Sequence, residues 1–380
     1  WQNEHTLISF FPEVTDYLIV GSGLVGSATA YYLKKMITRT GDVLVLDKDP
    51  YGPHSCTAFC NGLISTQSKC QEVSRIASLS KELLRNLKND VLVTKEDIAK
   101  IRYRPCTHLI LWREEDVDDV LNSTASQIDD GFHTEAKLPT ELETSFPWLK
   151  AVGTDIALGS HGNQDEALVD PIGLRNFYRT LAQAHGANFV QAEVVDFNTR
   201  FLPQISEITP TSVSAIVARL PATGELRCVG FAQALLALGH NTPYLEARSE
   251  MERFARDQIE DMHFIQPKLR LCFSFHSLNT PLINFPAITD TDGSLLIRDD
   301  YAGDFKLYLT QEESENFLDA DVQQFMDLDS EDSHPNLIHR SKSFEDYFYG
   351  VIKPRLARRI PAMEDARFNL VYSGFESKNI

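Results

Sequence analysis

The residues from Val20 to Leu33, VGSGLVGSATAYYL, put Gly21, Gly23 and Gly26 at the spacing G-x-G-x-x-G. That spacing suits one chemistry, the seating of a pyrophosphate on a helix N-terminus. The first glycine permits the tight turn out of a strand. The second has no side chain to block a phosphate from the backbone. The third lets the helix pack closely on the strand. The free N–H groups and positive dipole end of the helix then face the anion. Asp47 follows Gly26 by 21 residues, at the end of the apolar run VLVL. A carboxylate there accepts hydrogen bonds from a ribose diol and disfavours a 2′-phosphate, so FAD or NAD is expected over NADP.

The elements that must hold this site are legible nearby. Thr15 to Val20 reads as a short buried strand. Leu24, Val25, Ala28, Tyr32 and Leu33 recur at helical spacing, and Gly41 is a natural terminator. Val43 to Leu46 completes a strand, turn, helix, strand unit. The chain then leaves this pattern, whereas an NAD domain would continue with further β-α units. Ser74 to Leu87 reads as an amphipathic helix, Cys106 to Trp112 as a strand, and the acidic run after it as a solvated helix. Asp170 and Pro171 start a strong helix. Ala187 to Phe197 reads as one strand, with two more at Val213 to Leu220 and Cys228 to Leu238. Between Phe264 and Leu309 short strands alternate with turns, the mark of an antiparallel sheet. That sheet is expected to stand apart from the parallel one and to include the strand around Leu109. Helix returns from Phe344 to Leu356.

Bulk properties exclude several classes. The 380 residues suggest about two or three domains. They are 43% hydrophobic and 24% charged, enough for full cores. A formal charge of -18, from 54 acidic against 36 basic residues, argues against nucleic acid as a partner. The apolar run FAQALLALG is about half the roughly 20 residues a membrane helix needs. The six cysteines form no C-x-x-C pair and no metal-ligand spacing, so no metal is expected and a reducing compartment is favoured. Asn122-Ser123-Thr124 is a formal glycosylation sequon of little weight. The first residue is Trp1, so a processed chain or fragment is expected, with any targeting peptide out of sight.

Longer stretches are more specific than the loop. They are LVLDKD (Leu44 to Asp49), SCTAFCNGLISTQ (Ser55 to Gln67), ETSFPWL (Glu143 to Leu149) and ALGSHGNQDEALVDP (Ala157 to Pro171). AEVVDF (Ala192 to Phe197), ALLALG (Ala234 to Gly239) and KPRLARRIPAMED (Lys353 to Asp365) continue the series. Collinear from about Val14 to Ser373, they resemble the D-amino-acid oxidase/sarcosine oxidase type of flavoprotein, and within it a mitochondrial subgroup. The resemblance implies an α/β (α+β overall) fold, a Rossmann-like FAD-binding domain with an inserted mixed or antiparallel-sheet substrate domain. The FAD-binding domain is expected over 14–95, 160–245 and 345–380, and the substrate domain over 96–159 and 246–344.

Several site residues follow from the resemblance. Gly21, Gly23 and Gly26 would meet the pyrophosphate of FAD and Asp47 its adenosine ribose. Ser55, Thr57 and Gly62 would lie where phosphate and ribityl groups are wrapped. Val194 would read the adenine edge through its backbone, and Gly239 resembles the glycine of the family's second Gly-containing strand end. Cys56 stands where relatives usually carry a serine, and His240 replaces a small residue. Relatives continue for nearly another hundred residues with a Gly-rich segment over the flavin. A chain ending at Ile380 is therefore expected to hold FAD poorly.

Two functions are implied. One is oxidation of a small amine or N-methyl amino acid, with Arg298 the candidate partner for a substrate carboxylate. The other is a role in building respiratory complex I, with its assembly intermediates as partners, on the matrix side of the inner mitochondrial membrane and peripheral to it.

Overall fold

The computed structural model describes residues 11–36, 41–50, 55–201, 211–241, 265–280, 285–299, 303–318, 338–339 and 342–379. The chain divides into two compact units. The first comprises Trp1–Ala58, Ile172–Lys268 and Glu376–Ile380, and the second Phe59–Pro171 and Leu269–Phe375. The boundaries differ from those expected, since 59–95, 160–171 and 345–375 fall in the second unit. Backbone pairing gives the reason. Leu63–Ile64 and Arg367–Asn379 are hydrogen-bonded into the second unit's sheet.

In chain order the strands are β1 (Val14–Val20), β2 (Val43–Asp47), β3 (Leu63–Ile64), β4 (Arg104–Trp112), β5 (Thr134–Lys137), β6 (Leu158–Leu168), β7 (Asn188–Gln191) and β8 (Glu193–Phe201). They continue as β9 (Thr211–Arg219), β10 (Leu226–Leu236), β11 (Ile265–His276), β12 (Ala287–Thr289), β13 (Leu295–Arg298), β14 (Asp304–Tyr308), β15 (Ile338–His339) and β16 (Arg367–Asn379). The helices used below are α1 (Leu24–Met36), α2 (Cys56–Phe59), α3 (Gln71–Asn86), α4 (Lys95–Ile101), α5 (Val117–Asp129), α6 (Pro139–Ser145) and α7 (Pro171–Ala184).

The first unit is built on a sheet of order β7-β2-β1-β10-β9-β8. β1 lies between β2 and β10, parallel to both, and β7 adds in parallel beyond β2. Val43 to Leu46 of β2 and Leu18 to Val20 of β1 read as apolar runs because they are buried on both faces. The stretch expected as one strand from Ala187 to Phe197 is two. It breaks at Ala192, whose N–H donates to the Asp47 carbonyl at 2.9 Å. β7 stays with β2, while β8 leaves to pair antiparallel with β9. β10 serves two roles. Leu226 to Gly230 pair antiparallel with β9, and Gly230 to Leu236 pair in parallel with β1. Phe197, Ile216, Ala218 and Val229 from this meander share a core with Leu18, Val20, Leu44 and Leu46.

The second unit holds a ten-stranded sheet, ordered β15-β16-β11-β14-β13-β12-β4-β6-β3, with β5 paired to β6. Strands β11 to β14 are antiparallel to one another, as the turn-rich sequence implies. They join the strand containing Leu109 through β12, and that one junction is parallel, with Ile288 opposite Leu109. Alternation gives the sheet two unlike faces. Leu109, Leu111, Leu271, Phe273, Phe275, Leu296, Phe305 and Leu307 form the large core with Leu142, Phe348 and Ile352. The opposite face carries the polar side chains described below.

Among the described residues no helix is long and apolar enough to cross a membrane. No group of His, Cys, Asp and Glu could hold a metal ion among them.

Packing at the glycine loop sets a stability expectation. A Cβ on Gly26 would lie 1.9 Å from the Gly21 carbonyl oxygen and 3.4 Å from Ile19. Gly26→Ala must therefore push α1 off β1, at a cost of about 3 kcal/mol. Urea unfolding of the variant checks this, as a fall in midpoint at unchanged slope.

Candidate functional site

In the first unit the loop leaves β1 between its two neighbours. The Gly21 N–H donates to the Leu46 carbonyl, and the Ala237 N–H donates to the Val20 carbonyl, both at 2.7 Å. Gly21 has φ +102, and a Cβ there would meet the Ala237 oxygen at 2.3 Å. Only glycine fits both demands. Gly23 differs from its neighbours in the motif. Among the described residues, a Cβ on it would touch only the Thr57 hydroxyl, at 3.3 Å. Gly21 and Gly26 are glycines because protein backbone presses on them, whereas the space in front of Gly23 is open to a ligand.

Three side chains line this opening. The Thr57 hydroxyl accepts from the Leu24 N–H at 3.0 Å, at the first residue of α1. Asp47 Oδ2 accepts from the Ser22 N–H at 2.5 Å and from its hydroxyl at 2.8 Å, and Oδ1 from the Asp49 N–H at 2.9 Å. The carboxylate thus braces the loop from the end of β2. Both lone pairs of Oδ2 are taken by Ser22, and Oδ1 retains one for a diol. The Ser55 hydroxyl accepts from the Ala58 N–H at 3.3 Å and shapes the turn that presents Thr57.

Residues distant in sequence meet here. Val194 packs in the cluster that contains Val20, Leu46 and Leu238, the ends of the strands that carry the loop and the acid. Gly239, with φ +56, opens a single turn at the end of β10. That turn brings His240 Nδ1 to 3.2 Å from Cys56 Sγ. Burial, with Lys48 nearby, lowers the His240 pKa to about 4. The imidazole is therefore neutral at physiological pH, a hydrogen-bonding partner of the thiol and not a base for its proton. Arg175, buried on α7, was not foreseen from sequence. Burial first, and then the charge of Arg179, lowers its pKa below the ordinary arginine value, and Asp47 and Asp49 oppose that shift. The signal available was its place one turn into the helix after Asp170-Pro171.

The second unit carries Gly62 and Arg298. Gly62 has φ +73, and a Cβ there would lie 2.1 Å from the Val169 oxygen. It accepts from the Val169 N–H at 3.0 Å, which fixes the approach of β3 to β6. Arg298 is buried at the end of β13. Alternation places it on the face of Leu296, with the large core, and places Leu295 and Ile297 on the opposite face.

That opposite face holds a polar set that sequence reading did not single out. His108 Nδ1 lies 2.9 Å from the Ser65 hydroxyl and Nε2 lies 2.9 Å from the Thr289 hydroxyl. Burial, with His161 nearby, lowers its pKa to about 3, so it is a neutral hydrogen-bonding group. The Thr66 hydroxyl donates to Glu166 at 3.2 Å, and Glu166 is 1% exposed. Burial and the charge of Glu166 push the Cys106 thiol up to about 12. Lys306 Nζ sits 3.1 Å from Asp299 and 5.7 Å from the centre of the Tyr372 ring. Burial is the largest single effect and opposes its charge, but Asp299, Cys272 and Tyr372 together outweigh it and hold its pKa above the ordinary lysine value. Beside it, burial and the Cys272 thiol raise the Tyr308 hydroxyl well above the usual phenol range. The alternation Lys306, Tyr308 in FKLYL was readable. What was not readable is that this face is the polar one.

Nearly the whole chain, residues 16–368, matches the family described as FAD dependent oxidoreductase. The FAD-dependent oxidoreductase domain-containing protein 1 of Xenopus laevis is 26% identical over 375 residues, covering 97% of this chain and 71% of that protein. L-proline dehydrogenase from P. horikoshii superposes with a TM-score of 0.68 at 16% identity, over 96% of this chain and 82% of that one. Glycine oxidase from Geobacillus kaustophilus gives 0.65 at 16% identity, over 97% and 84%. The open front of Gly23, the brace of Asp47 on the loop and the hydroxyl of Thr57 fit a dinucleotide pyrophosphate, and with the match over residues 16–368 they place this chain in the FAD-dependent oxidoreductase family, with FAD as its cofactor.

Proposed function

We propose that the chain is an oxidoreductase of a small amine or N-methyl amino acid, and that in the cell it serves the assembly of respiratory complex I on the matrix side of the inner mitochondrial membrane. The observation that carries the first half is the contrast between glycines. Two of the three are closed off by backbone and the third is left open in front of a helix N-terminus. The fold neighbours named L-proline dehydrogenase and glycine oxidase favour a substrate whose reacting carbon bears nitrogen. The second half rests on the sequence resemblance to a mitochondrial subgroup, supported by the likeness to the Xenopus laevis protein along 97% of the chain.

A bound FAD supplies the two-electron oxidation of a C–H bond beside an amine. The chain's residues supply placement. Gly23 allows backbone approach to the pyrophosphate, with the Ser22 and Thr57 hydroxyls at its sides. Asp47 takes the ribose, and the backbone of Val194 reads the adenine edge. Ser55 holds the turn that carries Thr57, and Gly62 and Gly239 set the chain direction at two further strand ends. For the substrate carboxylate the sequence names Arg298, which lies on the large-core face of the sheet; the opposite face offers Lys306 instead, a cation less than one-third exposed. His108, neutral and hydrogen-bonded on both ring nitrogens, orients this face without adding charge.

Gly23→Val separates cofactor seating from folding. The new side chain meets only the Thr57 hydroxyl in the protein, so the melting temperature of cofactor-free protein should fall by only a few degrees, while bound flavin is lost. Flavin retained at wild-type occupancy contradicts the assignment of the loop.

Anaerobic mixing with sarcosine, dimethylglycine, proline and glycine tests the chemistry. One of them should bleach the flavin absorbance, and Lys306→Met should lower kcat/KM for it by roughly 100-fold without releasing FAD. No bleaching by any amine contradicts the substrate class. For the cellular role, cells lacking the protein should lose assembled complex I on native gels and regain it with the wild-type chain. Full assembly without the protein contradicts that role. Rescue by Gly23→Val would show that assembly does not need the flavin.

A further inference from the structure

Helix α3 turns its polar side inward. Ser74 and Lys81 are buried, at 0% and 4% exposure, while Val73, Ile76, Leu79 and Leu83 are 49%, 62%, 55% and 37% exposed. The charges of Lys81 and Glu166 both act on the Cys106 thiol, and Glu166 is bonded to Thr66. The helix lies against β3 and α5, and Val73, Ile76, Leu79 and Leu83 are its outward apolar residues. They fall on the outside at a spacing of three, three and four, which is one stripe of a helix. The stripe covers on the order of a few hundred Å², the size at which a patch marks an interaction site.

We propose that α3 pairs antiparallel with α3 of a second copy of this chain, about a twofold axis near Leu79. The stripe is one helix wide, which suits a helix laid along it and not a broad flat partner. Its flank is self-complementary in charge. Arg75 and Glu82 lie nearly two turns apart on the same edge of the stripe. Antiparallel pairing centred at Leu79 sets Arg75 of each copy against Glu82 of the other, once on each side of the axis. Such an isologous contact closes as a dimer and leaves no free copy of the patch. Arg75 already bridges to Asp130 at 3.0 Å, so its guanidinium is held at the rim of the stripe and not collapsed over it. An anionic lipid surface fits less well, because the chain carries a formal charge of -18, Glu72 lies within the stripe at its N-terminal end and Glu82 borders it. Two helices bury less than a standard interface, so the dimer forms in the micromolar range.

Sedimentation of the FAD-loaded protein up to about 100 µM tests this. A concentration-dependent dimer is expected. Leu79→Glu should leave a monomer whose melting temperature falls by no more than a few degrees, because Leu79 is 55% exposed. Glu82→Arg should weaken the dimer at least tenfold, and Arg75→Glu with Glu82→Arg should restore it. Leu79→Cys should cross-link copy to copy under mild oxidation, read by peptide mass, whereas Leu121→Cys on α5 should not. A monomer at every concentration overturns the proposal. So does a dimer indifferent to Leu79→Glu, or a monomer that binds neutral or anionic phospholipid vesicles through this stripe.

Discussion

The close approach of backbone to backbone at Gly21 is the contact on which the first unit is arranged. The carbonyl of Ala237 stands 2.3 Å from where a Cβ of Gly21 would be, and the carbonyl of Gly21 stands 1.9 Å from where a Cβ of Gly26 would be. β10, β1 and the first turn of α1 are thereby stacked with no side chain between them. Asp47 locks the same loop from the other side through both donors of Ser22. The result is a helix N-terminus fixed by three strand ends, with a single unobstructed face at Gly23. Preorganisation of this kind lets a dinucleotide bind without the loop first losing entropy.

The second unit answers a different demand. Both faces of its wide sheet are covered. Large aromatic and aliphatic residues take one side, with Phe273, Phe275, Phe305 and Phe348 fully enclosed. On the other side Leu295, Ile297 and Ala287 form a smaller apolar cluster, and His108, Glu166 and Lys306 among them are held by hydroxyls or by opposite charge, which is how polar groups survive with so little exposure.

Local signals were legible in the sequence, and long-range pairing was not. The glycine loop, β1, α1, β2 and Asp47 lie within a few dozen residues, and their spacing alone sets their geometry. The strand break at Ala192 could not be seen, because ANFVQAEVVDF is uniformly strand-forming and the break arises from a hydrogen bond to the Asp47 carbonyl, far back in the chain. The parallel join of β12 to β4 was hidden for the same reason. The His240–Cys56 pair links residues 184 apart. Arg298 shows the limit of reading a strand end without its partner strands. Its type suits a carboxylate, but which face it occupies depends on register with β14.

The central claim is that this loop holds FAD for redox chemistry. Acid release of the cofactor from the purified protein, followed by chromatographic identification, tests it most directly. The account predicts one non-covalent FAD per chain in the protein at its full natural length, displaced in neither amount nor kind by added NAD. Recovery of NAD, or protein that binds no FAD when FAD is supplied in excess, would contradict it.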